Sequence, residues 1–309
     1  MTSPQQRKDN VPSDDEQSDA PYSSEVVQPT NYRSGFITVV GRPNVGKSTL
    51  VNAICGEKVA ITSNKPQTTR HQIRGVLTMP EVQLVFVDTP GIHKPRTPLG
   101  ERLNKKAMDG IPGVDLVCFV VDATAPLGRG DKFIAERLPA NTIVVVNKCD
   151  RAKKSEIVQQ LVEASQLSFA EYFPVSSITG EGIETLLNYF VDAMPEGPKY
   201  YPDGQITDMS DHHFVAELVR EQLLRLTRDE LPHSIATRVT EWEWPRIRIE
   251  ILVERESQKG IVIGHKGEVL KKVGIAVREQ LREGAYVELQ VKVDKNWQHR
   301  PERIERLGY

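Results

Sequence analysis

From Gly35 onward the chain alternates short continuous apolar runs with stretches whose apolar positions recur every three to four residues. FITVV, QLVFVD, DLVCFVVD, TIVVVNK and EYFPVS are the runs, and KSEIVQQLVEASQL and GIETLLNYFVDAM carry the helical spacing. Near-continuous apolar strands between helices predict an α/β domain over residues 34–195, with a mostly parallel sheet covered by helices on both faces. PEGPKYYPDGQITDMS interrupts the pattern with prolines and glycines and predicts a linker over 196–210. Beyond it, FVAELVREQLLRLT has helical spacing, while SIATRVTEW, RIRIEILVER and AYVELQVKVDKNW alternate as strands do. Between the last two strands, IVIGHKGEVLKKVGIAVREQL places two helices about a glycine-bounded turn. A second, α+β domain over 211–309 follows, in the order helix, strand, strand, helix, helix, strand. Residues 1–33 are rich in Ser, Pro, Gln and Asp and cannot bury enough apolar surface to offset their ordering entropy, which predicts a disordered tail.

Composition narrows the partners. The 309 residues suffice for about two domains. With 40 basic against 42 acidic residues there is no global field to attract a nucleic acid or an anionic membrane, so any such site is local. Cys55, Cys118 and Cys149 are scattered, without the spacing of a metal or redox pair, and fit a reducing cytoplasm. No apolar run approaches the ~20 residues that span a bilayer, and the N-terminus lacks a signal-peptide core. The expected chain is soluble, or at most peripheral on the inner face of a membrane.

Four stretches carry chemistry. GRPNVGKST, covering Gly41, Arg42, Pro43, Asn44, Val45, Gly46, Lys47, Ser48 and Thr49, lies between a strand and a helix. Such a loop turns backbone N–H groups toward one point, where the helix dipole adds positive charge, so it attracts phosphate. Lys47 then reaches the β- and γ-phosphates, and the Ser48 hydroxyl ligates magnesium. DTPG follows a second strand with Asp88, Thr89, Pro90 and Gly91; Asp88 can reach the metal through water, and the Gly91 N–H can meet a γ-phosphate. NKCD holds Asn147, Lys148 and Asp150, and the Asp150 carboxylate suits the N1–H and exocyclic amine of guanine, which adenine lacks. SSITG, with Ser176, Ser177 and Ile178, can offer backbone N–H groups to the guanine oxygen. A polar strand-to-helix turn is the plain alternative for each alone; their order on successive strands favours a guanine nucleotide.

Together these motifs resemble the translation-factor-related GTPases, and ITSNKPQTTRHQIRG, with TTRH at Thr68 to His71, resembles the first switch of the bacterial Era GTPases. The resemblance runs from about Gly35 to Tyr309. It implies that a switch threonine joins the magnesium when GTP is bound, Thr69 or alternatively Thr68. Catalysis would then rest on positioning and charge stabilisation by Lys47, Thr69, Gly91 and the metal. Ile92 stands where Ras-like enzymes hold the water-orienting glutamine, so intrinsic turnover is expected to be slow. Asn44 occupies the place of an asparagine that in some relatives helps bind potassium beside the phosphates; the alternative is that it only shapes its loop. GHKG, from Gly264 through His265 and Lys266 to Gly267, resembles the GxxG loop of a type II KH domain, where a nucleic-acid backbone approaches closely. The second domain has 18 basic and 17 acidic residues, so its RNA site is expected in the local set Lys259, His265, Lys266, Lys271 and Lys272. The resemblance implies the 3′ end of 16S ribosomal RNA and the small ribosomal subunit as partners, with GTP and GDP and no DNA. Two other classes fit less well: a GTP-regulated RNA-modification protein, which should carry further catalytic residues, and an RNA-binding protein whose nucleotide site no longer hydrolyses, which measured turnover would separate.

Overall fold

The computed structural model describes residues 31–95, 97–227 and 231–309. The predicted tail lies outside the described residues up to residue 30, but its last two positions belong to the fold. Tyr32 is buried and Arg33 opens the first strand.

The first domain runs β1 (Arg33–Val40), α1 (Lys47–Cys55), β2 (Ile73–Thr78), β3 (Val82–Asp88), α2 (Pro98–Asp109), β4 (Leu116–Asp122), α3 (Arg129–Ala135), β5 (Ile143–Asn147), α4 (Lys154–Ser165), β6 (Glu171–Pro174) and α5 (Ile183–Ala193). Its six strands lie in the order β2-β3-β1-β4-β5-β6, all parallel except β2, which is antiparallel to β3. The strands are apolar on both faces because both are covered. In β5, Ile143 and Val145 pack with α1 and α5, whereas Val144 and Val146 face the core shared with α2, α3 and α4. The edge strand β2 was not predicted. Its residues, IRGVLT, mix polar and small positions at the end of the polar switch segment, so no apolar run marks them.

The predicted linker is a strap along the sheet edge. Val76 donates its N–H to the Ile206 carbonyl, and the Gln83 side chain accepts from the backbone N–H of Tyr200 and Tyr201 while donating to the Tyr201 carbonyl. Prolines and glycines broke its periodicity, and side-chain bonds took the place of a ladder.

The second domain runs α6 (Asp211–Leu226), α7 (Leu231–Ser234), β7 (Ala236–Glu243), β8 (Arg246–Val253), α8 (Glu256–Ile263), α9 (Glu268–Arg278), β9 (Tyr286–Val293) and α10 (Pro301–Arg306). Its sheet has the order β7-β8-β9, with β8 parallel to β9 and antiparallel to β7. This is the predicted element order, with the short α7 and the terminal α10 added. Among the described residues, no helix is long and apolar enough to cross a membrane.

The two domains share their cores through the switch regions. Ile61 of the first switch is buried within the second domain's core, beside residues such as Val215 and Leu218. Leu99 and Leu103 of α2 are buried against Ala236, Leu252, Trp297, Ile304 and Tyr309.

Candidate nucleotide site and its link to the second domain

All four motifs sit at the carboxyl ends of parallel strands, where β1 has neighbours on both sides and the chain leaves toward opposite faces. Open α/β sheets bind ligands at such a point. After β1, Gly46 takes φ 97° as the cap of α1, and a Cβ there would stand 2.4 Å from the Asn147 Nδ2, so only glycine fits. Asn147 ties three loops together. Its Nδ2 donates to the Val45 carbonyl, and its Oδ1 accepts from the Ser177 N–H and hydroxyl and from the Lys148 N–H.

Lys47 is buried and donates to the carbonyls of Gly41 and Arg42 at 3.1 and 2.9 Å. Burial pushes its ammonium down to about 8, with Asp88 offsetting part of the shift. Asp88 is itself buried, which pushes its carboxyl up against the opposing hydrogen bond from Ser48 and the charge of Lys47. The Ser48 hydroxyl donates to Asp88 Oδ2 at 2.6 Å and lies 2.8 Å from the Thr69 hydroxyl, which donates to the same carboxylate oxygen at 3.2 Å. Asp88 Oδ1 is buried without a hydrogen-bond partner. Three hard oxygen donors converging beside an unsatisfied carboxylate oxygen fit a magnesium ion. Thr68 also lines the pocket, but its hydroxyl is bonded to Ser63 and to the Lys65 carbonyl.

The remaining expected residues divide between the pocket and its supports. Pro43, Asn44, Thr49 and Gly91 line the phosphate pocket with Lys47, Ser48 and Thr69. Asn44 donates to the Asn64 carbonyl at 2.9 Å, a bond to the first switch rather than within its own loop. The Arg42 side chain points away, paired with Asp131 at 2.7 Å. Val45 and Ile92 are core residues, and Ile92 donates its N–H to the Gly41 carbonyl. Thr89 anchors DTPG, its hydroxyl donating to the Val39 carbonyl, and Pro90 is buried beside it. At the base end, Ser176 donates to Asp150 Oδ1 at 2.6 Å and fixes an otherwise exposed carboxylate. Lys148 pairs with Asp122 at 2.6 Å, and Ile178 is 73% exposed.

Immediately after Thr69 the chain packs side chains into the second domain. Arg70 is fully buried; it donates to the Ile235 carbonyl at 2.6 Å and lies over the rings of Trp297 and Tyr309 at 5.6 and 5.5 Å. His71 packs edge-on to His213 and against Tyr309, and burial pushes its imidazole down to about 3, so it is neutral. Arg220 of α6 donates to the Thr68 carbonyl and is held by Glu217, with its Nε 2.7 Å from Oε1. Glu221 accepts from the Thr62 N–H at 2.9 Å and pairs with Lys58 at 2.6 Å. The sequence pointed to no metal-type cluster outside the nucleotide site. The fold nevertheless brings His71, His213 and Glu217 within 4.8 Å of one another by their ligand atoms. His213 and Glu217 stand one turn apart on α6, but His71 joins them only through the fold, which hid the group; its carboxylate is engaged by Arg220.

At the far end of the second domain, Gly264, His265, Lys266 and Gly267 form a tight turn between α8 and α9. Gly264 has φ 74°, and a Cβ there would meet the Val269 side chain at 2.5 Å. His265, Lys266, Lys271 and Lys272 are exposed and Lys259 is half-buried. Ile261 and Ile275 are exposed on the two helices at 57% and 39%. Only the observed burial separates them from the apolar positions beside them.

Comparison with known proteins agrees with this architecture. Residues 36–148 match the 50S ribosome-binding GTPase family and residues 230–298 the KH domain family. The GTPase Era of Mycobacterium tuberculosis is 46% identical over 300 residues, spanning 91% of this chain and all of the relative. That of Mycolicibacterium smegmatis is 44% identical over 298 residues, with the same coverage. Among solved structures, Era in complex with MgGDPNP and nucleotides 1506–1542 of 16S ribosomal RNA superposes with a TM-score of 0.85 at 35% identity, covering 90% of this chain and 99% of that one. An Aquifex aeolicus Era variant bound to GDP and aluminium fluoride gives 0.84 at 35% identity with the same coverage. The chain belongs to the Era family of GTPases.

Proposed function

We propose that this protein is a GTP-hydrolysing switch whose GTP-loaded form presents its KH domain to the 3′ end of 16S ribosomal RNA during assembly of the small subunit. One observation carries the coupling: Thr69 lies 2.8 Å from Ser48 in the phosphate pocket while its neighbour Arg70 is buried in the second domain. A ligand that fixes Thr69 therefore acts on the KH domain through a single peptide unit. The RNA target is taken from the solved relative bound to MgGDPNP and 16S nucleotides.

In this reading Lys47 holds the β- and γ-phosphates, Gly91 meets the γ-phosphate through its N–H, and Asp150 with the Ser176 loop selects guanine. Magnesium would be held by Ser48 and Thr69, with Asp88 accepting from its water shell; when bound it neutralises charge on the phosphates. Asn44 serves a potassium ion through the amide oxygen left free of the bond to Asn64. Potassium should then raise turnover over sodium at matched ionic strength, and Asn44→Ala should remove the difference. On the KH domain, Lys259, His265, Lys266, Lys271 and Lys272 meet the RNA backbone at the Gly264–Gly267 turn. We place the protein in the cytoplasm, where its three buried thiols stay reduced.

Titration with a 16S 3′-end oligonucleotide, in GDP and in a non-hydrolysable GTP analogue, tests the proposal. Tighter binding in the analogue is expected, and equal affinity in both states would refute the switch.

A further inference from the structure

The residue after Gly91 cannot orient water, because Ile92 is only 4% exposed and belongs to the core beneath the sheet. The next residue takes a different course. His93 is fixed by Asn104 of α2, which accepts from the His93 N–H at 3.2 Å and donates to its carbonyl at 2.6 Å. Its ring Nε2 lies 2.9 Å from the side-chain nitrogen of Gln67. Gln67 lines the phosphate pocket beside Lys47, Ser48, Thr69 and Gly91, and its backbone sits at φ 60°. So the two switches are joined by one side-chain hydrogen bond at the phosphate end of the site.

Two further facts point to a ligand. Among the described residues, Gln67 Oε1 and His93 Nδ1 are both buried without a hydrogen-bond partner. An orphaned buried polar atom is costly, and at a functional site such a group points to a ligand or a catalytic role. In the Nδ1–H tautomer of His93, the Gln67 amide donates to Nε2, which leaves the oxygen of this pocket-lining residue without a donor.

We propose that Gln67 is the catalytic residue that orients the attacking water, replacing the glutamine absent at Ile92, and that His93 is its positioning residue. The water oxygen bonds to the γ-phosphorus as the bond from that phosphorus to the GDP oxygen breaks. Gln67 Oε1 accepts a hydrogen bond from the water without taking its proton, which passes to an oxygen of the departing phosphate. This arrangement forms only when both switches are closed, since the pair spans them. The inference rests on the GTPase reading above and adds the identity of the water-orienting group.

Single-turnover GTP hydrolysis by the full-length protein, with GTP affinity measured in parallel by a fluorescent analogue, tests it. Gln67→Ala should slow hydrolysis about 100-fold, the scale of losing one preorganised hydrogen-bonding group in a transition state. Its nucleotide affinity should stay within about threefold, since the contact forms in the transition state. Gln67→Glu, which keeps a side-chain oxygen acceptor, should recover part of the rate. His93→Ala should slow hydrolysis less, and the double variant should be no slower than Gln67→Ala alone, as expected for residues acting as a unit. Hydrolysis by Gln67→Ala within twofold of the parent would overturn the role of Gln67, as would a loss shared equally with affinity. Additive losses in the double variant would overturn the positioning role of His93. A parent protein that turns over no GTP would instead overturn the GTPase reading itself.

Discussion

Arg220, on α6 at the start of the second domain, donates to the main-chain carbonyl of Thr68, one residue before the threonine whose hydroxyl meets Ser48 and Asp88. Arg70 anchors the same segment from the other side through Ile235, Trp297 and Tyr309. The KH domain thus grips the first switch on both flanks of Thr69. Both guanidinium groups are fully buried, where planar, multiply bonded arginine is favoured over lysine.

Arg70→Met keeps an unbranched apolar stem and removes the charge and hydrogen bonds of the guanidinium. The ratio of RNA affinities in GTP analogue and GDP should collapse toward one, because the peptide unit that links Thr69 to the KH domain loses its anchor. By reciprocity the effect of RNA on GTP affinity should shrink by the same factor. The Thr69 hydroxyl is untouched, so GTP affinity without RNA should change little. A preserved affinity ratio in an oligonucleotide titration would refute the linkage.

Asp150 is exposed and oriented by the Ser176 hydroxyl at 2.6 Å. Asp150→Asn should weaken GTP binding and shift preference toward xanthosine triphosphate, whose C2 carbonyl can accept from the new amide. Competition titration checks this directly. ATP binding as tight as that of GTP in the parent protein would remove Asp150 from base selection.

Lys47 gives nucleotide binding a pH dependence of known sign. Without nucleotide, burial holds its ammonium down at about 8; bound phosphates favour the charged form and raise that value. Below pH 7 the lysine is charged in both states and affinity is flat. Above pH 8 binding must take up a proton, so affinity should fall by up to about tenfold per pH unit. Calorimetry of GDP binding at pH 8.5 in buffers of different ionisation enthalpy should register the uptake. Lys47→Arg, charged throughout, should lose it, and an unchanged uptake in that variant would assign the proton to another group.

The parallel sheet was legible because covered strands read as continuous apolar runs, of which LVCFVVD is the clearest. The phosphate and base loops were legible because their spacing is set by one ligand. What was hidden is the joining of the domains. Ile61, Arg70, Leu99 and Tyr309 share no periodicity, and each looks locally like a loop, a polar switch, a helix face or a chain end. Gln67 and His93 were hidden for the same reason, since their meeting depends on two switches folding toward each other. Thr69 was separated from Thr68 only by its direction, which no composition or spacing encodes.

The turn at Gly264 to Gly267 gives the sharpest test of the RNA surface. Its backbone geometry, with positive φ at Gly264, Lys266 and Gly267, leaves the His265 and Lys266 side chains exposed. Replacing both His265 and Lys266 by Asp sets two negative charges against the RNA backbone and removes the positive charge of Lys266. Phosphate contacts supply most nucleic-acid affinity in a salt-dependent way, so binding of the 16S 3′-end oligonucleotide should be lost at moderate salt. Exposed-loop substitutions usually change stability within about 0.5 kcal/mol, so the melting temperature and GTP affinity should match the parent. The nucleotide site lies at the other end of the coupling, so intrinsic GTP hydrolysis without RNA should be unchanged as well. Undiminished RNA binding by the double variant, with melting temperature and hydrolysis as expected, would move the RNA site away from this turn.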